Sequence, residues 1–292
     1  MALHTTSQRR GDDCTNPNEP RKPNNPTNRT NLINPTSDTI VTTMTTTIAI
    51  TGKGGTGKTA VAALLIRHVV RTDTDCVLLA VDSDPDTNLP EALGETVTRT
   101  VGDIKEIALK GLPPDVDKMQ VLESKIYEVL IEKPRYDLLV MGRPEGSGCY
   151  CYANNLLRGI MDRVTKNYDL VMIDTAAGME HLSRRIIRNL DFLLVVTDGS
   201  RKGLATAERI RDVVRELDLG FKKIYLVFNK VTPENRDSLQ RYASELGFEI
   251  AGMIPFDSEL AEYDLAGRPL ADLPDDSEAV TEVGRIAGLI GI

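Results

Sequence analysis

The sequence predicts an α/β fold of three layers, a mostly parallel sheet with helices on both faces, and three observations carry that prediction. Short apolar runs recur along the chain, several of them nearly continuous in Val, Leu and Ile. Such continuity is what parallel strands need when both of their faces are covered. Stretches with helical spacing fill the intervals, so strand and helix alternate and the crossovers are expected to be right-handed. The first strand runs into a glycine-rich octapeptide and then a helix, which places that segment at a strand's carboxyl end, where open α/β sheets bind ligands.

Taken in order, residues 1–43 stand apart. They are dense in Thr, Asn and Pro and hold hardly any apolar residue. A segment with so little to bury cannot offset its ordering entropy and is expected to be disordered. Met44 stands just before the first strand, so the tail also reads as a misassigned translation start. From residue 44 to residue 292 a single domain is expected. Its first strand is Thr47–Thr51 (T-I-A-I-T), its first helix Thr59–Arg71. Further strands are expected at Cys76–Val81, Asp137–Met141, Leu170–Ile173, Phe192–Thr197, Ile224–Asn229 and Glu249–Ile254, and helices at Leu204–Leu217 and Pro233–Leu246. No internal repeat is visible.

Composition narrows the class. Of 292 residues, 41% are hydrophobic and 27% charged, ordinary values for a globular protein in water. No apolar run is long enough to span a bilayer, and no secretory signal is visible. A net charge of −8 argues against nucleic acid as the main partner. Four cysteines (Cys14, Cys76, Cys149, Cys151) do not make a disulfide framework in a chain of this length. The expected compartment is the cytoplasm, where a close thiol pair more often means metal or redox chemistry.

The octapeptide Gly52-Lys53-Gly54-Gly55-Thr56-Gly57-Lys58-Thr59 satisfies the phosphate-loop pattern G-x-x-x-x-G-K-[ST]. Its glycines let successive backbone N–H groups turn inward and hold phosphate oxygens. Lys58 would reach the β- and γ-phosphates, and the Thr59 hydroxyl would sit on Mg²⁺. The strand Cys76–Val81 then leads to Asp82-Ser83-Asp84-Pro85-Asp86, three carboxylates in five residues that repel one another unless a cation, or solvent around a plain Asp-Pro turn, screens them. The strand Leu170–Ile173 ends in Asp174-Thr175-Ala176-Ala177-Gly178. An acidic residue at such a strand tip suits a second Mg²⁺ ligand, direct or through water. Gly178 would let a backbone N–H approach a γ-phosphate and hinge when it leaves.

G-K-G-G-T-G-K-T, D-S-D-P-D and D-T-A-A-G together resemble the deviant-Walker P-loop ATPases related to MinD, ParA and the nitrogenase iron protein. The resemblance implies Mg²⁺-dependent ATP hydrolysis by a homodimer, in which Lys53 reaches across to the partner's phosphates. It further implies that Asp84 orients or deprotonates the attacking water, that Asp82 supports the Mg²⁺ shell, and that Asp174 is the switch carboxylate. Asn229 and Pro255-Phe256-Asp257 match the positions that hold adenine in that family, although both also read as plain strand exits.

After Asp137–Met141 comes Gly142-Arg143-Pro144-Glu145-Gly146-Ser147-Gly148-Cys149-Tyr150-Cys151. A C-x-C in a glycine-rich loop can turn both sulfurs toward one ion, and two thiolates suit Zn²⁺, Cu(I), Ni²⁺ or an iron–sulfur cluster. They fill half of a four-coordinate shell, which a two-fold dimer would complete. Cys76 reads as a buried strand residue. The stretch M-G-R-P-E-G-S-G-C-Y-C-Y-A-N-N, with D-T-A-A-G-M-E-H-L-S-R-R downstream, resembles the CooC accessory ATPases. That likeness implies nickel (or zinc) held by Cys149 and Cys151 of both chains. It also implies delivery to carbon monoxide dehydrogenase or the acetyl-CoA synthase complex.

Other residues read more plainly. His181 reads as a surface or packing residue more readily than as a transient metal ligand, His68 is expected to pack in the first helix, and Arg184 and Arg185 form a solvated face or a docking patch. Three rival functions remain, one of them a non-enzymatic nickel store that uses ATP only as a structural ligand. A positioning ATPase of the ParA or MinD type needs a basic DNA face or a basic membrane helix, whereas the apolar C-terminal segment Ser277–Ile292 carries Glu278 and Glu282 against a lone Arg285. An electron donor like the nitrogenase iron protein would take cluster ligands from well-separated segments, and here the cysteines are two apart.

Overall fold

The computed structural model describes residues 45–104, 116–143, 151–177, 190–216 and 221–292, and for 118 and 151–156 the backbone alone. All of them fall within one compact unit, Thr39–Ile292. The tail expected at 1–43 lies outside the described residues.

The strands are β1 (Thr46–Gly52), β2 (Leu78–Ser83), β3 (Ile131–Glu132), β4 (Tyr136–Val140), β5 (Leu170–Thr175), β6 (Phe192–Thr197), β7 (Lys223–Val231) and β8 (Glu249–Pro255). They form a single sheet in the order β3-β4-β2-β5-β1-β6-β7-β8. Every pairing is parallel except β3 with β4. β1 lies between β5 and β6. The chain leaves β1 toward β2 on one side and later builds β6, β7 and β8 on the other. This reversal opens a crevice at the carboxyl ends of the central strands.

Strand alternation explains how one sheet serves two cores. In β1, Ile48 and Ile50 join the core under α1 (Lys58–Thr72), while Ala49 faces the opposite core. The first core also takes in α2 (Leu89–Ala92), α7 (Ser258–Leu265) and α8 (Glu278–Ile290). The opposite core packs α3 (Lys118–Val129), α4 (Cys151–Val164), α5 (Arg201–Glu216) and α6 (Pro233–Glu245). The expected three-layer architecture is thus observed.

Local chemistry sets several boundaries. Thr232 and Asn235 form a reciprocal capping box that starts α6, with Pro233 in its first turn. The second strand begins at Leu78, not at Cys76 as the apolar run suggests. The Asp73 carboxylate accepts from the backbone N–H groups of Asp75 and Cys76 and turns the chain before pairing can begin. Cys76 is therefore a half-buried residue ahead of the strand. Burial, then the Asp73 charge, pushes its thiol up to about 11. The short β3 was not expected, since two residues carry no periodicity.

α8 lays Ala279, Val283, Ile286, Ala287 and Ile290 into the core, against β8 and α1. Its apolar spacing thus serves the sheet. No helix among the described residues is long and apolar enough to cross a membrane. On α1, the buried Arg67 donates from Nε to Ala271 O (3.1 Å) and from Nη2 to Leu273 O (2.8 Å). It also pairs with Asp275, which Arg71 shares.

Candidate functional site

β1 is buried from Thr47 to Gly52 and delivers the glycine segment to the crevice. The Thr56 hydroxyl, fully buried, donates to Lys53 O (2.8 Å) and closes the loop on itself. Gly57 takes a left-handed conformation (φ 90°) as the residue before α1, and no side chain caps the helix there. The first-turn N–H groups and the positive end of the helix dipole are left for an anion. Lys58 opens α1 nearly buried, whereas Gly54 and Gly55 are exposed.

The carboxylates converge beside the loop. Asp82 and Asp174 are register partners on β2 and β5, and Asp174 also lies level with Ile50 of β1. Thr59 Oγ1 donates to Asp174 Oδ2 (2.6 Å), while the buried Asp174 Oδ1 has no hydrogen-bond partner. Burial pushes Asp174 up to about 6, against the opposing pull of the Thr59 hydrogen bond and the Lys58 charge. Burial pushes Asp82 up to about 7, and the neighbouring Asp174 charge adds to it. Both Asp82 oxygens are committed: Oδ1 accepts from Asp84 N (2.9 Å), Oδ2 from Leu89 N (3.1 Å). Asp82 thus shapes the turn on which Asp84 stands. Asp84 is half-buried and accepts from Asp86 N (3.0 Å).

These groups suit a hard cation with a polyphosphate. An orphaned, buried carboxylate oxygen beside a hydroxyl offers oxygen ligands of the kind Mg²⁺ takes. The uncapped helix end and Lys58 offer what phosphate oxygens take.

The residues expected around the base have structural tasks of their own. Asn229, expected with the adenine group, donates from Nδ2 to Thr56 O (2.9 Å) and accepts from Lys230 N (2.9 Å), so its amide grips the loop. Asp257, expected in the same group, caps two helices. Its Oδ1 accepts from Glu259 N and Leu260 N of α7, and its Oδ2 from Ser277 Oγ (2.6 Å) and Ala279 N at the start of α8. Pro255 closes β8, and the Phe256 ring between them is 57% exposed.

Gly178, Cys149, His181, Arg184 and Arg185 lie outside the described residues. Cys151 is the first described residue of α4, with only its backbone described, so the second cysteine is helical rather than inside a loop. Among the described residues, no group of three or more His, Cys, Asp or Glu is gathered as a metal site.

Sequence reasoning missed three contributors. Lys230 holds a left-handed conformation (φ 58°) and donates from Nζ to Gly55 O (3.4 Å). Arg143 donates to Pro85 O (3.4 Å) and pairs with Asp86, bracing the carboxylate turn from the exit of β4. Asp198 follows β6, next to β1. Burial opposes its ionisation, but hydrogen bonds from Ser200 and the Lys53 charge hold its carboxyl below the usual range. An aspartate at a central strand's carboxyl end was the available signal.

The sequence model described as the CobQ/CobB/MinD/ParA nucleotide binding domain matches residues 47–270. The chain belongs to that family. It is 51% identical, over 242 residues, to an uncharacterized ATP-binding protein of Methanocaldococcus jannaschii, covering 81% of this chain and 95% of that one. It is 32% identical, over 238 residues, to the carbon monoxide dehydrogenase accessory protein CooC of Rhodospirillum rubrum, covering 76% of this chain and 88% of that one. Among solved structures, a ParA family ATPase from Chlorobium tepidum superposes with a TM-score of 0.65 at 20% identity, over 85% of this chain and all of that one. That likeness speaks for the fold alone.

Proposed function

We propose that the chain is a cytoplasmic, homodimeric, Mg²⁺-dependent ATP hydrolase that loads nickel into carbon monoxide dehydrogenase or the acetyl-CoA synthase complex. The observation that carries the chemistry is the Thr59–Asp174 contact beside Lys58, at the mouth of a loop whose helix end lacks a cap. The choice of client rests on the kinship with CooC together with the Cys149-x-Cys151 pair.

In this reading the N–H groups of Gly54 to Thr59 hold the phosphates and Lys58 neutralises the β- and γ-oxygens. Thr59 and Asp174 hold Mg²⁺, with Asp82 setting the surrounding turn. When bound, Mg²⁺ supplies positive charge where the leaving phosphoryl oxygens gain negative charge. Asp84 orients the attacking water and takes up its proton. Lys53, half-buried and close enough to Asp198 to influence it, reaches the partner's phosphates when the two protomers close. Gly178 gives way as the terminal phosphate leaves. Phe256 and Pro255 supply an apolar platform for the base, with Asn229 and Asp257 fixing the segments around it. Nickel is cargo, held by Cys149 and Cys151 of both protomers, with zinc as an alternative occupant of the same sulfurs.

The test is activation of nickel-free dehydrogenase by the purified chain, with and without ATP. Activation that needs ATP and is lost in Cys149→Ala/Cys151→Ala protein is expected. Stoichiometric nickel binding by that double variant would refute the thiol assignment.

A further inference from the structure

Strand geometry sends successive side chains to opposite faces. At the end of β7 this rule is broken, because Asn229 and Lys230 are neighbours and both reach the glycine loop. Two irregularities allow it. The pairing of β7 with β8 shifts register between Phe228 and Val231, and Lys230 adopts φ 58°. A non-glycine residue in that region is strained and persists only where its surroundings impose it. Here the bulge turns two adjacent side chains onto two adjacent carbonyls: Asn229 Nδ2 onto Thr56 O (2.9 Å) and Lys230 Nζ onto Gly55 O (3.4 Å). Asn229 also locks the bulge itself, since its Oδ1 accepts from Lys230 N. On the other side of the contact, Gly57 leaves no room for more than a hydrogen, for a Cβ there would overlap Asn229 Nδ2.

A planar trans peptide points its C=O and the following N–H in opposite directions. Holding Thr56 O toward β7 therefore aims the Gly57 N–H away from β7, and holding Gly55 O does the same for the Thr56 N–H. We propose that Asn229 and Lys230 are positioning residues that preset the loop's N–H groups for a polyphosphate, so that Asn229 sets phosphate affinity whatever base is attached. The proposal rests on the nucleotide reading above and assigns Asn229 a task other than reading the base.

The experiment measures Mg²⁺-dependent binding of ATP, GTP and inorganic tripolyphosphate to the full chain and to the Asn229→Asp and Lys230→Ala variants. An aspartate would face Thr56 O with a charge instead of a donor. Asn229→Asp is expected to weaken all ligands that the wild type binds by one common factor of about tenfold or more. Lys230→Ala, the milder change should Asn229→Asp fail to fold, is expected to weaken them by a smaller common factor of about twofold to threefold. The ATP-to-GTP ratio stays unchanged in both. A loss confined to ATP, with tripolyphosphate affinity intact, would make Asn229 a base reader and overturn the proposal. Unchanged affinity for all ligands would overturn it as well. A wild-type chain that binds none of them removes the nucleotide reading and the brace with it, a result distinguishable from either of the others.

Discussion

Thr59 Oγ1 stands 2.6 Å from Asp174 Oδ2, which joins the first turn of α1 to the last turn-out of β5 and leaves Asp174 Oδ1 without a partner. A buried carboxylate in that condition resists ionisation until a cation arrives.

The stability of the ligand-free protein should therefore depend on pH with a definite sign. Asp174 is raised to about 6 and Asp82 to about 7, from 3.8 in an exposed aspartate. Between those limits the folded state binds more protons than the unfolded one, so the contribution of both groups is fullest at acid pH and is lost as pH rises through their folded values. Thermal unfolding without ligand should show this component falling between about pH 4 and pH 7, and Asp174→Asn should flatten it. Mg²⁺ with ATP favours the ionised forms and should restore stability at the upper end. A slope unaffected by Asp174→Asn would contradict the assignment.

Two glycines of the loop should behave differently. Gly55 (φ 80°) has open space around its Cβ position, whereas Gly57 (φ 90°) faces Asn229 Nδ2. Gly55→Ala should lower stability by about 1–2 kcal/mol, the strain of a left-handed alanine. Gly57→Ala adds a steric conflict with a buried hydrogen bond, and calorimetry should show a larger loss together with abolished ATP binding.

Asp257 and Phe256 should separate stability from binding. Removing the carboxylate in Asp257→Ala uncaps α7 and α8, with an expected loss of about 1–3 kcal/mol in denaturant unfolding. Hydrogen bonds from Ser277, Leu260, Ala279 and Glu259 overcome the effect of burial and hold this carboxyl low, so its contribution is present above 3.8 and fades as pH falls. Phe256→Ala should leave unfolding nearly unchanged and weaken ATP by about threefold to tenfold, as loss of a stacked ring does. The reverse pattern would exchange their roles.

Lys53→Gln should bind ATP with affinity within about threefold of wild type, because the loop and Lys58 remain. Hydrolysis and nucleotide-dependent dimerisation, read by turnover and light scattering, should both be lost. Full turnover in this variant would place the second lysine outside the reaction.

How far the sequence anticipates this structure depends on how local each determinant is. β1, β5 and β6 were legible because strands buried on both faces must be apolar almost without interruption, as Phe192–Thr197 is. The loop was legible because Gly57 has no substitute at φ 90°. β7, by contrast, was expected to end at Asn229 and continues to Val231, since a left-handed lysine leaves no compositional mark. Asp257 was read with the base because an aspartate after a strand looks the same whether it caps a helix or meets a ligand. Its capping of α8 was not legible, because it depends on Ser277, twenty residues on, whose hydroxyl donates to it. Arg67 was unreadable for a similar reason, its acceptors being backbone oxygens more than two hundred positions away.

Arg67 fastens the trailing half of α1 to the 271–275 segment, and α8 lies along the same helix. The element whose leading end would meet the phosphates is thereby the stator of the molecule. In the proposed cycle, rearrangement on gaining or losing a terminal phosphoryl group is expected where the described chain leaves β2 and β4, at Asp84, Asp86 and Arg143. A spectroscopic label near Ile292 should report almost nothing of the cycle, and one near Arg143 most of it.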